Sequence, residues 1–158
     1  MSSFGAEVIW KRKESAVFTD RRYSRGHVWR FDGGVEVPAS SSPHVVPVPY
    51  SLAENVDPEE AFVAALSSCH MLFFLHFASD AGLLIDGYVD DASGIMETVD
   101  GKTMITKVTL KPKVTYGGTA PDVVLEDELH HRAHEACFLA NSVKTEVVTE
   151  PVRQAQVL

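Results

Sequence analysis

Residues 57–82 read DPEEAFVAALSSCHMLFFLHFASDAG, and the rest of the chain is organised around them. Asp57 suits a helix N-cap, Pro58 the first helical position, and Glu60 the place from which a capping-box carboxylate reaches back to the cap amide. Between Phe62 and Phe77 almost no polar face is left, and Gly82 supplies a C-terminal stop. This pattern predicts a long helix buried on nearly all sides, with Cys69 near its middle. Most buried free thiols are inert small hydrophobes, so the helix alone does not make Cys69 functional.

A chain of 158 residues is expected to form one domain over residues 1–158. With 45% hydrophobic and 23% charged residues it has an ordinary globular composition, which supports a single core without staples. The net charge of −8, with no basic stripe, opposes phosphate backbones and anionic lipid, so neither nucleic acid nor a membrane is expected as a partner. The apolar run over 61–85 is interrupted by Ser67, Ser68, His70, His76 and Asp80, which argues against a bilayer span. The stretch MSSFGAEVIWKRKESAVF lacks the apolar core of a signal peptide, which predicts a cytoplasmic protein with reduced thiols. Cys69 and Cys137 are too few for a zinc finger or ribbon; as a pair they invite a redox reading.

Before the helix, residues 4–12 and 15–37 read as β structure, with a tight turn at Asp32-Gly33-Gly34. Residues 20–30, DRRYSRGHVWR, hold four arginines, a pattern that on its own describes a solvated edge. Residues 38–55 carry four prolines and four serines and read as an extended loop. After the helix, arms over 87–99 and 103–116 flank a hairpin at Asp100-Gly101-Lys102, with Pro112 marking an edge or a bulge. Residues 121–137 return to helical spacing, with Cys137 at the helix end, one further turn over 138–142 and a closing strand over 143–152. Antiparallel sheets packed on a long buried helix make this an α+β, two-layer chain.

Taken together, Asp57-Pro58-Glu59-Glu60 followed by Phe62, small residues and Cys69, then Ala136-Cys137-Phe138-Leu139-Ala140-Asn141-Ser142, with Tyr23-Ser24-Arg25-Gly26-His27 upstream, resemble the OsmC/Ohr family. These are osmotically inducible and organic hydroperoxide resistance proteins, and the resemblance spans nearly the whole chain. It implies an OsmC-like fold in an intertwined homodimer and a cysteine-based peroxidase that reduces organic hydroperoxides, with hydrogen peroxide as a further candidate, to alcohols. Cys69 matches the peroxidatic cysteine and Cys137 the partner that resolves its sulfenic acid as a disulfide. Arg25 matches the arginine that contacts the nucleophile, and Glu59 the glutamate ten residues before it. No cofactor is implied, and the implied reductant is a dithiol of the lipoyl type. Phe138 stands where many members have proline, and His70 where an apolar or aromatic residue is common.

The residue types suit the chemistry. A thiol attacks peroxide as thiolate, and burial opposes that form, so a fixed cation such as the Arg25 guanidinium must offset it. Glu59 alone would oppose the thiolate; its sensible role is to hold Arg25 by a bidentate pair. Ten helical residues rise about 15 Å, so either the helix start bends or Arg25 or Glu59 arrives from a second subunit. Two other classes stay open: a metal-binding protein using His130, His134 and Cys137, at i, i+4 and i+7, and a non-catalytic redox-sensing or ligand-binding protein using the same cysteines. His27, His44, His70 and His76 read as packed or solvated side chains.

Overall fold

In the computed structural model, which describes residues 1–153, the long helix α1 spans Pro58–Asp80. Its start is a capping box: Glu60 N donates to Asp57 Oδ1 at 2.8 Å, and Asp57 N donates to Glu60 Oε2 at 3.2 Å. Its end is a Schellman motif around Gly82 at φ +74°, with Gly82 N on Ser79 O and Leu83 N on Ala78 O. Both boundaries follow the sequence expectation. The buried face is narrower than composition predicts. Leu66, His70, Phe74 and Ala78 form one fully buried i, i+4 stripe, while Leu72 is 61% exposed. Among the described residues α1 is the one helix long and apolar enough to cross a membrane, yet its polar Ser67 and His70 both take side-chain partners within the fold.

The chain divides into two compact units, Met1–Ala61 and the chain from Phe62 onward. In the first, β1 (Ala6–Ile9), β2 (His27–Phe31) and β3 (Glu36–Ala39) form an antiparallel sheet in that order, with Val8, Trp29 and Val37 in register. The β2–β3 turn closes with Gly34 at φ +83° and Gly34 N on Phe31 O. Where strand was expected over 15–26 there is instead a 3₁₀ turn, Phe18–Asp20, and a loop. Local bonds outcompete a ladder there: the Arg12 guanidinium donates to the carbonyls of Lys13, Glu14 and Ala16, and Asp20 Oδ1 accepts from Arg22 N. The proline-rich connection is held by buried serines, with Ser40 Oγ accepting from Leu52 N at 3.0 Å.

In the second unit the two expected long arms break into four strands. β4 (Ile85–Asp90) pairs with β7 (Pro112–Tyr116), and β5 (Ser93–Val99) pairs with β6 (Lys102–Leu110). Asp90 makes the break: its Oδ1 accepts from Lys111 N at 2.6 Å, and its Oδ2 accepts from Ser67 Oγ on α1. The β5–β6 hairpin turns through Asp100 and Gly101, both at positive φ, a type I′ geometry. β8 (Glu146–Thr149) joins β6 in parallel. α2 (Val123–Ala136) starts at Asp122, whose Oδ1 accepts from Leu125 N at 2.8 Å.

Two apolar clusters cover α1 in this unit. Leu66 packs with Val108 and Leu110 of β6, and Phe74 and Ala78 pack with Leu129 and Ala133 of α2. At Gly94 of β5 the backbone approaches α1 so closely that an added Cβ would lie 2.9 Å from Val63 Cγ2.

Candidate active site

Cys69 lies in the middle of α1, half-buried, and Cys137 caps the end of α2 at 1% exposure. The two side chains are close enough to interact, Cys69 acting to raise the Cys137 thiol. The local sequence after α2 explains why Cys137 faces inward. Cys137 leaves the helix with extended backbone, its N on His134 O, and the chain turns back through a 3₁₀ turn at Ala140–Ser142. Asn141 Nδ2 donates to Glu135 O at 2.9 Å and Ser142 Oγ to Phe138 O at 2.6 Å, which pins the turn. Ala140 N donates to Cys137 Sγ at 3.4 Å. Burial, reinforced by the neighbouring Cys69 side chain, pushes the Cys137 thiol up to about 11, against the smaller opposing pull of the Ala140 amide. Cys137 is therefore a protonated thiol at neutral pH, able to donate to the sulfur of Cys69.

Arg25 and Glu59 both line one cavity of about 460 Å³ in the first unit. Its apolar wall is Val8, Trp10, Phe18 and Tyr23, with Trp10 edge-on to Tyr23 at 5.4 Å and Phe18 stacked on Tyr23 at 4.6 Å. Arg25 is turned onto its own loop. Its guanidinium donates to the Arg21 carbonyl at 2.7 Å and to the Tyr23 carbonyl, and sits 3.9 Å from the Tyr23 ring centroid. Among the described residues no ion pair joins it to Glu59; the two share the cavity without the bidentate contact that the sequence suggests. The loop is anchored by Arg25 N on Tyr50 O, Trp10 Nε1 on Ser24 O and Arg22 Nε on the Tyr50 hydroxyl. His27 also lines the cavity, and its tautomer is fixed: Nδ1 donates to Arg25 O, so Nε2 accepts from Trp29 Nε1.

The histidines of α2 do not form the row that a metal site would need. His130 turns inward to meet His70 on α1, Nδ1 to Nε2 at 3.0 Å, and stacks on Phe74 at 4.3 Å. Among the described residues no group of three or more histidine, cysteine or acidic side chains is placed to hold a metal ion. Burial drives His70 down to about 3 and His130 down to about 4, so both rings are neutral at physiological pH.

Sequence reasoning missed two features of this site. The aromatic wall Trp10, Phe18 and Tyr23 comes from residues that read as β structure in the sequence, and the His70–His130 pair joins two residues not read together. The inward turn of His70 had a signal: it occupies the apolar i, i+4 stripe between Leu66 and Phe74.

Residues 52–151 match the protein family described as OsmC-like protein. Among curated proteins no match to the chain is found. Among solved structures, an OsmC-like protein of unknown function from Vibrio cholerae is 57% identical, with a TM-score of 0.93 over 96% of this chain and 100% of that one. An organic hydroperoxide resistance protein OsmC from Legionella pneumophila is 14% identical, with a TM-score of 0.65 over 96% of this chain and 97% of that one. An organic hydroperoxide resistance protein from Elizabethkingia anophelis is also 14% identical, with a TM-score of 0.67 over 96% and 94%. At that identity the last two likenesses concern the fold alone, and it is the same mixed arrangement of small sheets and two helices. With its family match covering most of its length and a close structural relative over nearly all of it, the chain belongs to the OsmC-like family.

Proposed function

We propose that this protein is a thiol-dependent peroxidase that reduces organic hydroperoxides to alcohols through Cys69 and Cys137. The observation that carries the reading is the adjacent, interacting thiol pair, in which one sulfur is half-buried and the other is buried and held protonated. Cys69, as thiolate, attacks the terminal oxygen of the hydroperoxide; the O–O bond breaks, an S–O bond forms, and the alkoxide leaves as alcohol after taking a proton. Cys137 then displaces the sulfenic oxygen, which departs as water, and a Cys69–Cys137 disulfide forms. A dithiol of the lipoyl type regenerates both thiols by exchange, in the cytoplasm.

In this reading Arg25 supplies the positive charge that offsets a desolvated thiolate, and Glu59 orients it. Arg25 would have to exchange the Arg21 and Tyr23 carbonyls for the sulfur. The aromatic cavity it lines suits an apolar organic substituent. We assign the working unit as an intertwined homodimer, because α1 keeps apolar residues such as Leu72 uncovered in one chain and Phe138 is 73% exposed beside the Cys137 turn. Light scattering at micromolar protein should return twice the chain mass.

The test of function is titration of reduced protein with cumene hydroperoxide and with hydrogen peroxide, followed by mapping of the disulfide. Stoichiometric oxidation to Cys69–Cys137, preferring the organic peroxide and repeating when a dithiol is supplied, is the expected result. A single oxidation that no dithiol turns over would instead favour a redox sensor.

A further inference from the structure

The buried histidine pair has no part in the steps above, and it lies on the same two helices as the thiols. His70 directly follows Cys69 on α1, and His130 precedes Cys137 by seven residues, two turns of α2. Both rings are enclosed, at 1% and 4% exposure. Their 3.0 Å contact joins a side chain of α1 directly to one of α2. His130 is clasped from two successive turns of α1, bonded to His70 and stacked at 20° on Phe74. Around them Phe74, Ala78, Leu129 and Ala133 are apolar and give no directional bond.

Tautomer accounting makes the contact specific. His130 Nε2 is buried without a partner. If His70 donated to His130 Nδ1, the His130 proton would have to sit on Nε2 as an orphaned donor, which is rarer in proteins than an orphaned acceptor. The favoured arrangement has His130 Nδ1–H donating to His70 Nε2. Neutrality of both rings, enforced by burial, keeps that single donor and single acceptor in place.

We propose that the His70–His130 hydrogen bond fixes α2 against α1 in the register that brings Cys137 onto Cys69, making both histidines positioning residues for disulfide formation. The step they serve is the condensation of Cys69 sulfenic acid with the Cys137 thiol, in which an S–S bond forms, the S–O bond breaks and water leaves. This rests on the peroxidase reading for its substrate, though not for its geometry. A disulfide tolerates only a narrow range of Cβ separations, near 3.8 Å, so a small slip between the helices penalises it. Apolar packing alone permits such slips more readily than a buried directional bond does.

The test uses His130→Leu, which removes the bond, His130→Asn, whose amide nitrogen can replace Nδ1, and His70→Gln, whose amide can replace Nε2. Circular dichroism first selects folded variants. Each reduced protein is then given one equivalent of cumene hydroperoxide, and Cys69 sulfenic acid, trapped with dimedone, is followed separately from disulfide. Sulfenic acid should form at the unmodified rate in all variants. Disulfide formation should slow by about 10–100-fold in His130→Leu, with dimedone adduct accumulating, and recover substantially in His130→Asn and His70→Gln. A parallel arm equilibrates the proteins with glutathione redox buffers and measures the effective concentration of the thiol pair without any peroxide. That value should fall in His130→Leu by a similar factor and recover in the amide variants. Equal disulfide rates and equal effective concentrations across the folded proteins overturn the positioning role. Failure of the unmodified protein to form any sulfenic acid, with the glutathione arm still separating the variants, would overturn the peroxidase reading and leave the positioning role standing. Should His130→Leu not fold, unchanged values in both amide variants together with an unchanged His70→Leu would overturn it equally.

Discussion

Cys69 and Cys137 are carried by a helix middle and a helix end, and every group around them is set by packing or by a turn pinned at Asn141 and Ser142. Arg25 is carried by the loop between β1 and β2, and its guanidinium is satisfied by the Tyr23 and Arg21 carbonyls of its own loop and by the face of the Tyr23 ring. The thiols cannot move without repacking a core. The arginine can move by trading one set of surface hydrogen bonds for another. In the proposed chemistry the nucleophile and its resolver are carried on helices, while the charge that activates them is delivered by a side chain on a loop.

The largest effect should come from the half carried on helices. Cys69→Ser should abolish peroxide consumption, whereas Cys137→Ser should permit one oxidation and then stall or over-oxidise, read by mass spectrometry of the intact chain. If Cys137→Ser alone eliminated the first oxidation, the roles would be reversed and the contrast between a half-buried attacker and a buried resolver would fail. Next in size is the half carried on the loop. Arg25→Ala should slow peroxide attack at pH 7 by about 100-fold or more, Arg25→Lys should restore it only in part because the fork is lost, and Arg21→Ala should leave it unchanged. Equal stopped-flow rates for Arg25→Ala and the unmodified protein would return Arg25 to the status of a solvated loop residue.

A smaller effect separates the halves by acid. His70 and His130 are held below their ordinary value by burial, so the unfolded chain binds protons that the folded chain refuses. The stability that this contributes is present in full above about pH 6.5 and is lost as pH falls toward 4, by on the order of 3 kcal/mol for one ring. Urea denaturation between pH 7 and pH 4 should show this loss in the unmodified protein and a flatter profile in a folded His130→Leu. Smallest is the cap: Asp57→Ala should cost about 1 kcal/mol in the same assay, with the disulfide still forming.

Those contrasts also mark what could be read from sequence. α1 was legible from end to end because its signals are local: Asp57, Pro58 and Glu60 at one end and Gly82 at the other each act on backbone groups within a turn. The same holds for α2, capped by Asp122, and for the Asp100-Gly101 turn. The break in the long β arms was not legible, because Asp90 makes it by accepting from Lys111 and Ser67, each more than twenty residues away. Nor was the histidine pair, whose members are sixty residues apart. For Arg25 the family resemblance pointed to the residue but not to its surroundings. The loop there is decided by Arg12, Asp20 and Tyr50, which compete for backbone groups that a strand would otherwise pair.

The bare backbone of Gly94 beneath Val63 has a further consequence, best put as a matter of levers. Val63 is stiff at its branched carbon, so a methyl group placed at position 94, 2.9 Å from it, would be relieved less by the side chain than by the helix. Cys69 rides six residues farther along that same helix, so the push would reach the sulfur within two turns. Gly94→Ala would then act as a wedge of known thickness. It offers a way to retune the spacing between two thiols by a few tenths of an ångström from a strand that carries none of the chemistry.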